Sequence, residues 1–179
     1  MKTVLAASVM AMALSSTAFA AEVAPVGGMV HFTGFITDSA CQVNLQNNPF
    51  EESLDLGTFL TTDFAAAGDT SKSVPLNLSL TDCPTAVTGV TVRVTSTEGE
   101  STESAGDFEL KSGGATGVAL RLTEESGDAI AFGEESSVFP VDAGVGEIAI
   151  NAQYVATKAG TDMTPGHADL DATFAINYK

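Results

Sequence analysis

Short runs of alternating apolar and polar residues recur along most of this chain, and they predict strands rather than helices. Val30, Phe32, Gly34 and Ile36 share one phase; Leu54 and Leu56 begin a short strand before Gly57. Leu76, Leu78 and Leu80 alternate with Asn77, Ser79 and Thr81, and Val90, Val92 and Val94 with Thr91, Arg93 and Thr95. Val118, Leu120 and Leu122 follow, then Ile148, Ile150, Ala152 and Tyr154. The runs are rich in Val, Ile, Thr and Phe, too short for helices, and never settle into a 3.6-residue period. An all-β sandwich is the expected architecture. Turns are expected at 98–106, 112–114, 126–128 and 159–161, where Gly, Ser and Asp cluster. One helical turn is expected at 64–67, closed by Gly68 and Asp69.

The last run has the most to say about assembly. From Gly166 to Lys179, Leu170, Ala172, Phe174, Ile176 and Tyr178 fall on one face, while Asp169, Asp171, Thr173 and Asn177 fall on the other. No later segment follows to form a hairpin neighbour, so its free edge calls for a partner. At the other end, residues 21–32 form an apolar segment with Ala24, Val26, Gly28, Val30 and Phe32 in one phase and Val23, Pro25, Gly27 and Met29 in the other. Pro25 suits an edge or a lead-in, and Gly27-Gly28 lets the segment leave the domain as an arm. Two arrangements fit the alternation: the first strand pairs with the last within one chain, or the arm of one copy fills the vacant position of the next by β-strand addition. In the second, burial of four or five apolar side chains contributes about 6–15 kcal/mol before ordering costs. That contact is head-to-tail and grows into a fibre.

The first twenty residues read as an export signal: Lys2, an apolar run from Val4 to Leu14, then Ala18-Phe19-Ala20 at the cleavage positions. The run is too short to span a bilayer, and no later stretch reaches the roughly 20 apolar residues needed, so no direct membrane insertion is expected. Removal of the leader leaves 159 residues, enough for one domain, and moves the net charge from −16 to −17. An acidic surface of this size disfavours nucleic acid and anionic lipid as partners and favours solubility. Export to an oxidising compartment predicts one disulfide between Cys41 and Cys83, the only cysteines.

Little points to chemistry. His31 and His167 are the only histidines and read as isolated polar side chains, each in or beside a strand. Asp169 and Asp171 read as solvating residues, and Asn77-Leu78-Ser79 as a chance sequon inside a strand. The acidic stretch 98–107 is expected to be an exposed loop; it lacks the ligand spacing of a dedicated calcium loop. No nucleophile elbow, phosphate loop or zinc motif occurs. No catalytic residue, metal ligand or cofactor is assigned, and an enzyme is not expected.

Several stretches together resemble the pilin subunits of chaperone-usher fimbriae, over essentially the whole mature chain. Gly28-Met29-Val30-His31-Phe32-Thr33-Gly34 followed by Asp38 and Cys41 is similar to that family's opening strand, and Asp55-Leu56-Gly57 to its second. Residues 72–83 resemble the stretch carrying the second cysteine, and residues 117–122 the Gly-rich mid-domain strand. The strongest likeness is terminal: Tyr154, Gly160 and Thr164-Pro165-Gly166 lead to a penultimate Tyr178, with Gly166 fourteen places from the end.

The resemblance implies an incomplete immunoglobulin-like sandwich lacking its final strand and completed by donor-strand exchange. It implies a signal peptide at 1–20, a donor arm at 21–32 and a pilin domain at 33–179. Gly166, Leu170, Ala172, Phe174, Ile176 and Tyr178 would line the acceptor groove. The implied partners are identical or related pilin subunits, a periplasmic chaperone that lends the missing strand, and an outer-membrane usher. The implied location is an extracellular pilus reached through the periplasm, supporting cell adhesion. A minor adaptor near the tip, or a module binding a surface ligand, is the alternative role. Two features depart from the family pattern: Pro25 interrupts the arm, and basic residues are unusually few.

Overall fold

The computed structural model describes residues 40–45 and 53–179, and its regular structure is strand with two short 3-10 turns. Among the described residues seven strands form: β1 Gln42–Leu45, β2 Val74–Thr81, β3 Gly89–Ser96, β4 Val118–Glu124, β5 Phe139–Asp142, β6 Val145–Ala156 and β7 Ala172–Tyr178. All pairings are antiparallel and run β1-β2-β6-β5-β3-β7, with β4 also on β6. β5 joins the two layers because it is short and divides its bonds, pairing Gly89 and Val90 of β3 through Pro140 and Phe139, and β6 through Val141 and Asp142.

The alternation in β2, β3 and β6 becomes an interior. Leu78 and Leu80, Val90, Val92 and Val94, Leu120 and Leu122, and Ile148, Ile150 and Ala152 are all buried in one cluster. Side chains of this kind contribute about 1.5–3 kcal/mol each when fully buried. Cys41 and Cys83 are disulfide-bonded and buried one residue before β1 and two after β2, so the bridge staples the β1–β2 pair at its first rung, Gln42 opposite Thr81.

Several local expectations need correction. Leu54 and Leu56 are not in a strand: the Gly57 amide donates to Asp55 Oδ1 at 2.8 Å and Gly57 sits at φ 91°, closing an Asx turn that ends any extended run. The two leucines still pack against the core. The helical turn lies at Thr61–Asp63, earlier than 64–67, where the Asp63 carboxylate accepts from the Leu60 amide at 2.8 Å. β1 and β5 lie outside the alternating runs from which strands are expected. The two-residue β5–β6 hairpin loop has both Ala143 (φ 47°) and Gly144 (φ 82°) in the left-handed region, as its tight reversal requires.

The stretch 98–107 is not a simple exposed loop. Ser101 and Asp107 are buried, and Phe108 beside them is fully buried, edge-on to Phe132 with ring centroids 5.3 Å apart. The Asp107 carboxylate accepts from Arg121 Nε at 2.8 Å, from Arg121 Nη2 at 2.7 Å and from Ser104 Oγ at 2.5 Å, fastening the loop to β4. Replacement of Arg121 by alanine would leave that carboxylate buried without its counter-ion. Arg121 is itself about one-third exposed, so the expected loss is about 2 kcal/mol, below the ~3–5 kcal/mol of fully buried pairs. A urea-unfolding midpoint measures it, and an unchanged midpoint would remove the fastening role.

Candidate functional site

β7 is attached to the domain along one edge. It pairs with β3 from Ala172 opposite Ser96 to Tyr178 opposite Val90, and no other strand or bridge among the described residues meets its second edge. Alternate backbone N–H and C=O groups of such an edge strand point away from its only partner. The side chains tell the same story. Phe174, Ile176 and Tyr178 pack against the core yet stay only half-buried, whereas their β3 counterparts Val94, Val92 and Val90 are fully buried. The result is an apolar stripe beside a row of backbone groups that meet no second strand among the described residues.

The terminal strand is shorter than the alternation suggests. Strand pairing starts at Ala172, not Gly166, and Ala172 is exposed. Before that point the chain bonds elsewhere: the amides of Lys111, Ala115 and Thr116 donate to the carbonyls of Asp169 (2.9 Å), His167 (2.7 Å) and Thr164 (3.1 Å). Ala172 therefore marks where the segment changes partner, from 111–116 to β3. Ala168 and Leu170 in this lead-in pack against the core, whereas Ala172 does not. Gly166 lies in this lead-in, and its role there is spatial. A Cβ on it would fall 2.7 Å from the Ala115 nitrogen and the Gly114 carbonyl carbon, and one on Gly114 would fall 2.1 Å from the His167 carbonyl oxygen. Two backbones approach here more closely than side chains permit.

Tyr154 fixes the lead-in from inside, its hydroxyl donating to the Ala168 carbonyl at 2.8 Å. Burial, aided by the charges of Asp169 and Asp55, pushes that hydroxyl's pKa up, so it keeps the proton it donates. His167 is exposed and outside any strand, a correction to its expected place in the terminal strand. Asp171 is exposed and pairs with Lys111 at 2.6 Å.

A polar cluster that no local sequence pattern marks lies on the outer face of β3 and β7. Glu135 accepts from Thr91 Oγ1 at 3.0 Å, from Asn177 Nδ2 at 3.2 Å and from Lys179 Nζ at 3.1 Å, with Arg93 Nη2 at 3.7 Å. Lys179 foremost, then Thr91, hold its carboxyl below the ordinary range. A depressed folded value means that the stabilisation is present above the unfolded carboxyl pKa and is lost as pH falls through the folded one. Lys179 is tied by its backbone as well, donating to the Gly89 carbonyl at 2.8 Å and accepting from the Thr88 amide at 3.0 Å.

The structure thus brings together Phe174, Ile176 and Tyr178 as one stripe, with Leu170 in the lead-in, Gly166 in the close backbone contact and Ala172 at the change of partner. Ala24, Val26, Gly28, Val30 and Phe32, the expected donor residues, lie outside the described residues, as do His31 and the expected leader at 1–20.

Comparison with known proteins bears on this geometry. Residues 30–179 match the family described as fimbrial protein. The chain is 34% identical to the type-1 fimbrial protein A chain of Escherichia coli, covering 94% of each, and 30% identical to the fimbrial subunit type 1 of Salmonella typhimurium, covering 94% of this chain and 93% of that one. Among solved structures, a Burkholderia pseudomallei antigen and type I fimbria protein superposes with a TM-score of 0.60 at 27% identity, over 79% of this chain and 91% of that one. The P pilus rod subunit PapA superposes with a TM-score of 0.63 over 77% of this chain and 99% of that one; at 19% identity the likeness is one of fold.

Proposed function

Because this chain belongs to the fimbrial protein family and is a structural subunit of a pilus, we propose that it joins its neighbours by β-strand addition along the second edge of β7. The observation that carries the reading is the half-buried stripe of Phe174, Ile176 and Tyr178 on a strand paired along one edge only among the described residues. Residues 21–32 of the next copy supply the added strand, with Ala24, Val26, Gly28, Val30 and Phe32 facing the stripe. Backbone bonds give the joint strength, and the alternate side chains give it register. Phe174, Ile176 and Tyr178, with Leu170 and Ala172 towards the lead-in, form the wall that receives them, and Gly166 holds the lead-in in place.

An unpaired apolar edge is an aggregation hazard while the subunit is alone. A periplasmic chaperone covers it in transit by lending a strand, an outer-membrane usher exchanges that strand for the next subunit's arm, and the finished fibre stands outside the cell. The leader at 1–20 starts this route. The role is structural, in the shaft of the fibre, and requires no catalytic residue, metal or cofactor.

The test compares the mature chain with and without residues 21–32. The intact chain is expected to form fibres visible by electron microscopy, and the shortened one to stay monomeric in size-exclusion chromatography. Equal polymerisation of both forms would refute the donor role of the arm.

A further inference from the structure

We propose that Glu135 is a positioning residue for strand addition: it clamps β7 onto β3 from the outer face while the second edge is vacant, and becomes dispensable once a donor strand fills that edge. The inference rests on the strand-addition reading above and adds to it a residue that contacts neither the donor nor the stripe.

The geometry behind it involves three segments. Glu135 lies in the stretch 133–136, which is itself bonded to β3 on the side away from β7: the amides of Gly133 and Ser136 donate to the carbonyls of Val94 (2.9 Å) and Val92 (2.8 Å), and the Val92 amide donates to Ser136 Oγ at 2.9 Å. From this anchored base the Glu135 carboxylate meets Thr91 and Arg93 of β3 and reaches Asn177 and Lys179 at the far end of the chain, 42 and 44 residues away in sequence. Thr91, Arg93 and Asn177 lie in the outward phase of the strands, opposite to Phe174, Ile176 and Tyr178, and Lys179 directly follows β7. The clamp therefore holds β7 without touching the apolar stripe or covering its second edge.

Its placement is also uneven along the strand. Residues 177–179 are held by Glu135, Thr88 and Gly89, while Ala172 and Thr173 at the other end are exposed. A single exposed ion pair adds little to a fold. Three hydrogen-bond donors and the Arg93 guanidinium converging on one carboxylate matter where the strand has one ladder of backbone bonds among the described residues, because local opening of such an edge is easier than global unfolding. With a second strand on its free edge, β7 gains a second ladder, and the clamp adds little more.

Hydrogen exchange of residues 172–178 in the mature chain tests this, measured in unassembled subunits and in assembled fibres of the wild type, E135A and E135Q. In unassembled E135A, exchange of β7 is expected to run roughly three- to tenfold faster than in the wild type, with β2 and β6 unchanged. In fibres the variants and the wild type should exchange alike. E135Q, which keeps a neutral acceptor, should fall between them when unassembled, and supplies the fibre comparison if E135A assembles poorly. Wild-type exchange rates in unassembled E135A, acceleration spread equally over β2 and β6, or the same acceleration in fibres would each overturn the clamp alone. If wild-type β7 exchanges no more slowly in fibres than in free subunits, strand addition itself fails and the clamp with it.

Discussion

Replacement of Cys41 by serine is expected to lower the stability of the oxidised subunit by about 4 kcal/mol, the loop-closure value for a bridge spanning 42 residues. Domains of this size are commonly stable by only ~5–15 kcal/mol, so the loss is a large share of the whole. The location of the bridge sharpens the expectation. β1 has four residues and pairs with no strand but β2 among the described residues, and the bond between Cys41 and Cys83 closes that pair at its first rung. The buried serine hydroxyl would also face Cys83 where sulfur now packs. Guanidinium unfolding of the purified variant gives the magnitude, and the amount of folded subunit recovered gives its consequence in the cell. A midpoint equal to that of the oxidised wild type would show that the β1–β2 contact holds without the staple.

Ile176→Asp is expected to abolish fibre growth while leaving a folded monomer. Ile176 sits opposite Val92 at the middle of the β7 stripe, half-buried by its own domain. In the unassembled subunit an aspartate there keeps partial access to water, and the cost is about 2 kcal/mol. A donor strand laid across it would enclose the carboxylate completely among apolar side chains, where an unpaired charge is far costlier. The substitution thus penalises the joint more than the fold. Size-exclusion chromatography should give a monomer and circular dichroism a strand-rich spectrum. Fibres at wild-type yield would mean that the stripe is not the docking wall.

These two expectations draw on parts of the molecule that were unequally legible in the sequence. Alternation found β2, β3, β4, β6 and β7 because each presents a regular apolar face to one interior, and two cysteines in an exported chain sufficed for the bridge. β5 was hidden because its strand character comes from its partners: Phe139-Pro140-Val141-Asp142 has no strong preference alone and is drawn out by lying between β3 and β6. Leu54 and Leu56 misled in the opposite sense. They mimic a strand, but the side chain of Asp55 captures the Gly57 amide and turns the chain. The acidic composition of 98–107 likewise concealed that one of its carboxylates, Asp107, is enclosed by Arg121 and Ser104.

At the proposed docking site the same division holds. Period two identified the face formed by Phe174, Ile176 and Tyr178 but could not show that residues 166–171 bond to 111–116 before the strand moves to β3. Glu135 carried no local signal, since every group it meets lies more than forty residues away in sequence.

A mixing experiment tests the central claim most directly. The mature chain carrying Ile176→Asp keeps its arm but loses its acceptor; the chain lacking residues 21–32 keeps its acceptor but loses its arm. Each alone should remain monomeric, and together they should form a one-to-one dimer and nothing longer, as light scattering after chromatography would show. Fibres from either chain alone, or a mixture that stays monomeric, would contradict the account.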